Sequence, residues 1–223
     1  MIDFEAARAK MVDSQVRTTD VTSHSVLNAL LSVPREDFVP PAVKSLAYID
    51  EDLQIAPARD GKPPRYLMES SPLAKLLQLA AITKNDSVLE IGSGCGYTTA
   101  LLSRLAHAVV AVECDSDLAD QAGATLARSG YGNVTQVTGP LEAGYPAEGP
   151  YDLIFVNGAV EEVPETLLSQ LREGGRLVAV VGYGPAAQAR VFVRNEGQQS
   201  QASHFNAAIK PLPGFRKAAA FVF

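Results

Sequence analysis

The chain has 223 residues, with 19 Lys and Arg against 25 Asp and Glu, a formal net charge of −6, 47% hydrophobic and 20% charged residues, and two cysteines. That length makes one sizeable domain, or one domain with an arm, and the composition excludes collagen-like, disordered and disulfide-scaffold classes. The acidic balance argues against nucleic acid as a partner, because polyphosphate binders displace counterions with an excess of Lys and Arg.

In chain order, the opening Met1-Ile2-Asp3-Phe4-Glu5-Ala6-Ala7-Arg8-Ala9-Lys10 is charged every few residues and lacks the apolar run of a signal peptide. Apolar runs such as residues 177–181 end at Gly182, well short of the roughly 18 residues of a membrane span. Apolar spacing at Val26, Leu27, Leu30 and Leu31 predicts a helix that Thr22 or Ser23 can cap. A Pro/Gly-rich irregular stretch follows over residues 57–64. A further helix then starts near Ser70 or Ser71, with Pro72 in its first turn.

From Lys84 onward, short β-branched runs alternate with helical spacing, the pattern of βαβ units around a parallel sheet. Strands are expected at 87–91, 109–113, 134–138, 153–157 and 175–181, and helices at 98–106, 116–128 and 164–171. The first, third and fifth strands read as covered on both faces, giving an α/β, doubly wound, Rossmann-like sheet. Beyond Gly184, residues 189–194 and 218–223 are expected to pair as an antiparallel hairpin at the sheet edge, joined by the polar stretch 195–203 and the Pro211-Leu212-Pro213-Gly214 turn.

The most informative stretch is Val88-Leu89-Glu90-Ile91-Gly92-Ser93-Gly94-Cys95-Gly96-Tyr97. Alternate glycines let a backbone turn sharply and let a ligand approach more closely than a Cβ permits. A dinucleotide loop places its third glycine at the sixth position, where this chain has Tyr97, which disfavours NAD. Glu90 puts negative charge where a pyrophosphate is repelled and a cation is held.

This spacing resembles the first motif of class I methyltransferases, whose ligand S-adenosyl-L-methionine (AdoMet) carries a sulfonium and an ammonium. Val109-Val110-Ala111-Val112-Glu113 agrees with it, an apolar strand ending in an acid that can accept both ribose hydroxyls. The bland alternative is a glycine-rich turn with Glu113 as a helix-start acid. Cofactor contacts are expected at Glu90, Ile91, Gly92, Ser93, Gly94, Gly96, Glu113, Cys114, Leu141 and Asn157. Cys95 and Cys114 read first as small fillers, and His24, His107 and His204 as structural or surface residues without metal-like spacing.

The segments Met11-Val12-Asp13-Ser14-Gln15-Val16, Val33-Pro34-Arg35-Glu36-Asp37-Phe38-Val39-Pro40 and Ala47-Tyr48-Ile49-Asp50-Glu51-Asp52-Leu53 precede this motif. They resemble the opening of protein-L-isoaspartate O-methyltransferases, and the likeness continues through Tyr151-Asp152-Leu153-Ile154 and Gly174-Gly175-Arg176-Leu177-Val178 to about residue 182. The resemblance implies an AdoMet-dependent O-methyltransferase acting on the carboxylate of isoaspartyl residues in damaged proteins, while Cys95 and Cys114, set in apolar stretches, fit a reducing cytoplasm. It also implies an N-terminal helical arm and substrate loop, 1–83, and an AdoMet domain, 84–223, within one compact unit.

Two departures qualify it. Where the family carries Gln-Thr-Ile-Ser-Gln-Pro, with hydroxyls that contact substrate, this chain has Arg65-Tyr66-Leu67-Met68-Glu69-Ser70-Ser71-Pro72. Ser70 and Ser71 are the candidate catalytic, orienting groups, with helix capping as the alternative, and Arg65 is either a partner for a substrate carboxylate or a solvated loop residue. Where the family has Gly-Asp-Gly, facing the adenine amino group, this chain has Gly139-Pro140-Leu141, leaving Glu142, or packing and backbone alone, to hold adenine. A relative acting on another nucleophile, and a non-catalytic AdoMet-binding protein, are the rival readings.

Overall fold

In the computed structural model, which describes residues 2–215, an arm of short helices leads into the alternating region. The first helix, α1 (Phe4–Met11), starts at Asp3, whose carboxylate accepts the Ala6 N–H, and continues through a π turn at Val12–Val16. In α2 (His24–Ser32) the start is satisfied from elsewhere. Gln78 Oε1 accepts the N–H groups of Thr22 and Ser23 at 2.7 and 2.9 Å, while the Ser23 hydroxyl pairs with Ser25. A distant glutamine therefore does the work expected of Thr22 or Ser23, and ties α2 to the third helix.

Two short antiparallel strands, β1 (Leu53–Ala56) and β2 (Arg65–Leu67), bracket the Pro/Gly stretch. Next, α3 (Ser70–Leu79) begins where expected and buries Leu73, Ala74, Leu76 and Leu77. The arm and the sheet share one core: Met11, Leu27, Leu30 and Leu73 belong to the same apolar cluster as Val88, Leu101 and Phe155.

The main sheet is built from β3 (Ser87–Ile91), β4 (Ala108–Glu113), β5 (Val134–Thr138), β6 (Tyr151–Val160), β7 (Leu171–Val181), β8 (Gln188–Asn195) and β9 (Gln198–Asn206). Their spatial order is β5-β4-β3-β6-β7-β8-β9, parallel through β7 and antiparallel thereafter. Connecting helices are α4 (Tyr97–Leu105), α5 (Ser116–Arg128) and a single turn, α6 (Glu165–Leu168). The helix expected over 164–171 is cut short because Leu171 is already paired with Tyr151 as β7 begins.

The edge hairpin is placed differently from the expectation. Residues 195–203, read as a polar connection, belong largely to β9 and pair with β8, while 218–223 lie outside the described residues. Glu196 and Gly197 both take positive φ, 52° and 72°, the geometry of a two-residue hairpin turn, so β8 folds back immediately. An exposed edge strand needs backbone pairing more than apolar side chains, and β9 (burial confined to a half-buried Phe205) shows no apolar alternation. After β9, residues 207–215 cross back over the carboxyl ends of the strands. Lys210 O accepts the Ala159 N–H and Ala159 O accepts the Leu212 N–H, each at 2.9 Å.

Candidate active site

Chain order reverses between β3 and β6, and in open α/β sheets the ligand crevice opens at the carboxyl ends of such a strand pair. Glu90 on β3, the loop from Gly92 to Gly96, Asn157 on β6 and Glu113 at the end of β4 all fall there.

Glu113 is fully buried and its carboxylate is heavily bonded. Gly94 N–H donates to Oε2 at 2.8 Å, and the N–H groups of Cys114 and Asp115 donate to Oε1 at 2.9 and 3.1 Å. Arg65 forks onto the same carboxylate, Nη1 to Oε1 and Nη2 to Oε2 at 2.9 Å. Burial costs the Arg65 guanidinium hydration, yet the attraction of Glu113 leaves its pKa raised. Arg65 is thus a buried ion-pair partner and no solvated loop residue. The pairing continues along the loop, with Arg59 on Asp115 at 3.2 Å and Asp117 at 2.5 Å, and Lys62 on Asp115 at 3.5 Å.

Glu90, expected to contact the ligand, is bonded within the protein. It is fully buried, with Oε2 accepting from the Thr99 hydroxyl at 2.6 Å and Oε1 from Asn157 Nδ2 at 3.1 Å. Burial pushes its carboxyl up to about 8 against the pull of those two donors, with nearby Glu113 adding to the rise. Asn157 Nδ2 also lies 3.3 Å from Gly92 O, so Glu90 and Asn157 together pin the glycine loop.

The three loop glycines have separate tasks, all at positive φ. A Cβ on Gly92 would stand 2.7 Å from Leu212 Cδ2, and one on Gly94 3.0 Å from Ile55 Cδ1. At Gly96 it would stand 3.1 Å from Ala122 Cβ, so this residue lets α4 approach α5. Ser93 is buried with its hydroxyl accepting from Gln136 Nε2, and Ile91 and Leu141 lie in the apolar cluster that also contains Leu212. Pro140 is exposed, while the Glu142 carboxylate lies beside Gly214, 2.7 Å from where its Cβ would be.

The candidate orienting serines separate. Ser70 is fully buried and its hydroxyl sits 2.9 Å from Met11 Sδ, so it joins α3 to α1; it does not cap the helix, the N-cap being Glu69. Ser71 is half-buried in the first turn of α3. Both thiols are pushed up to about 11, chiefly by burial, so the helix start does not activate Cys95. Cys114 is exposed beside Glu113, with its Sγ 3.8 Å from Arg65 Nη1.

Tested against AdoMet, the donor set fits: a carboxylate at the end of β4 for two ribose hydroxyls, a second carboxylate behind the loop for positive charge, and glycines where a close approach is needed. Two contacts unforeseen in the sequence are made in that space, Arg65 on Glu113 and Leu212 over Gly92. Their partners lie 48 and 120 residues away, and no local pattern signals either contact.

A doubly wound sheet, an acid two residues before a Gly-x-Gly-x-Gly loop and a second acid ending the next strand define a class I AdoMet-dependent methyltransferase fold. The family model described as protein-L-isoaspartate(D-aspartate) O-methyltransferase matches residues 6–213. The chain is 40% identical over 191 residues to the protein-L-isoaspartate O-methyltransferase of Methanoculleus marisnigri, covering 86% of this chain and 84% of that one. It is 34% identical over 212 residues to that of Herpetosiphon aurantiacus, covering 95% and 92%. A solved protein-L-isoaspartate O-methyltransferase superposes with a TM-score of 0.80 at 30% identity over 93% of this chain and 66% of that one. The chain belongs to the protein-L-isoaspartate O-methyltransferase family.

Proposed function

We propose that the protein transfers the methyl group of AdoMet to the carboxylate of L-isoaspartyl residues in damaged proteins. The observation that carries this reading is the family match over residues 6–213, which takes in the arm as well as the sheet. The resulting ester leaves more readily than a carboxylate, so the neighbouring backbone nitrogen can close a succinimide that reopens to normal aspartate.

When bound, AdoMet supplies an electrophilic methyl group on a sulfonium. Glu113 would hold the ribose hydroxyls, with Gly94, Cys114 and Asp115 N–H groups keeping its carboxylate in place. Glu90 would act from behind the loop, through its charge and through Asn157. A substrate carboxylate is already ionised near neutrality, so no strong base is required, and the chain's task is in-line placement in a dry site. Ser71 is the serine left at the loop-to-helix junction to orient it, since Ser70 is spent on Met11. The arm 1–83 and the domain 84–223 act as one unit, a reading that their common core supports.

The uncrosslinked cysteines support a reducing, cytoplasmic setting, and the net charge of −6 supports proteins over nucleic acid as partners. Among the described residues no helix is long and apolar enough to cross a membrane. The divergent stretch from Arg65 to Pro72 favours, as a second reading, a relative acting on another nucleophile. Incubation with labelled AdoMet and matched isoaspartyl and aspartyl peptides tests the choice. Base-labile methyl ester on the isoaspartyl peptide alone is expected, and its absence would overturn the repair assignment.

A further inference from the structure

Arg65 is 6% exposed and Glu113 fully buried, so their ion pair lies inside the cofactor crevice and away from its rim. The two guanidinium nitrogens donate one to each oxygen of the Glu113 carboxylate, the same two oxygens to which a vicinal diol can donate. Glu113 does not depend on the arginine for its position, because three backbone N–H groups hold its two oxygens. Two donors can therefore replace two donors on a fixed acceptor.

The exchange leaves a buried guanidinium without its counter-charge, a costly condition that a new anion relieves. Arg65 opens β2, in the stretch that leads directly into α3, and the serine hydroxyl nearest the start of α3 is turned onto Met11. A cavity of about 220 Å3 reaches Arg65 itself, lined with it by Lys62, Pro63, Cys114, Asp115 and Pro213. A peptide carboxylate entering there is the anion that the reaction itself brings, and a planar fork suits it.

We infer that Arg65 changes partners during the catalytic cycle: it holds Glu113 until the ribose of AdoMet takes that carboxylate, and then holds the carboxylate of the isoaspartyl substrate. Arg65 is on this view both an internal competitor of the cofactor and a specificity residue for an anionic substrate. The inference rests on the AdoMet-dependent reading of the site. It makes cofactor binding a precondition for strong substrate binding.

Calorimetry of AdoMet binding to the whole protein and to Arg65→Gln tests the first half, and peptide KM at saturating AdoMet the second. Arg65→Gln is expected to bind AdoMet about tenfold more tightly and to raise the KM for an isoaspartyl peptide by about tenfold with a smaller effect on kcat. Equal or weaker AdoMet binding by Arg65→Gln, or an unchanged KM, would overturn it. A measurement on the unaltered protein removes dependence on the variant's folding. S-adenosylhomocysteine should tighten isoaspartyl-peptide binding about tenfold, and the peptide should tighten S-adenosylhomocysteine by the same factor. No coupling in that protein overturns the inference. Failure of both proteins to bind AdoMet defeats the functional reading together with it, whereas binding by Arg65→Gln alone supports it.

Discussion

Asn157, in the carboxyl half of β6, donates to Glu90 Oε1 of β3 at 3.1 Å, and the same nitrogen lies 3.3 Å from Gly92 O. One amide thus spans the point where the sheet reverses direction and fixes the loop on which the cofactor would lie. Replacing Asn157 with Ala leaves a buried carboxyl oxygen without its donor. A stability loss of about 1–3 kcal/mol is expected, together with weakened AdoMet binding. Denaturant unfolding and calorimetry check the two effects separately.

Glu90 makes the site pH-sensitive. Its carboxyl is raised from 4.5 to about 8 in the folded protein, so the folded state binds this proton more tightly than the unfolded state. The stability it contributes is full below about pH 4.5 and is lost as the pH rises towards 8. A cationic cofactor favours the ionised form, so binding at pH 7 should release a proton. AdoMet affinity should rise between pH 6 and 8 and level off above the folded pKa of about 8, with a binding enthalpy that varies with buffer ionisation heat. Glu90→Gln should remove the proton release, weaken AdoMet binding and hold its stability better at alkaline pH.

Glu113 faces two demands at once, because it neutralises a buried arginine and is the carboxylate proposed to hold the ribose hydroxyls. Glu113→Ala leaves the Arg65 guanidinium buried and unpaired, which typically costs about 3–5 kcal/mol, and it should abolish measurable AdoMet binding. In the double variant Glu113→Ala with Arg65→Met, most of the stability should return while cofactor binding stays lost. Thermal unfolding and calorimetry on the pair of variants distinguish a structural from a binding role.

The serines should separate in the same way. Ser70→Ala removes a buried contact to Met11 and is expected to lower stability by about 1 kcal/mol with kcat/KM nearly unchanged. Ser71→Ala is expected to leave stability within about 0.5 kcal/mol and to lower kcat/KM on isoaspartyl peptides. The reverse pattern in steady-state kinetics would return the orienting role to Ser70.

Local pattern carried the sheet far, because alternating β-branched runs and helical spacing act over neighbouring residues, and β3, β5 and α5 lie where periodicity puts them. It failed at β9, whose polar residues are set by pairing with β8 and not by burial. The glycine loop and the acid ending β4 were legible because each task of turning, close approach or accepting a diol demands a residue type at a set distance along the chain.

The sequence by itself therefore determined the doubly wound fold, the family and the two carboxylates of the site, all of them matters of residue type at short spacing. Only the tertiary structure decided what those carboxylates touch. Glu90 turned inward onto Thr99 and Asn157, Ser70 was spent on Met11, and Arg65 and Leu212 were brought from 48 and 120 residues away onto Glu113 and Gly92. Such contacts arise from how the arm, the sheet and the crossing segment pack together, and packing between distant elements leaves no periodic trace in the chain.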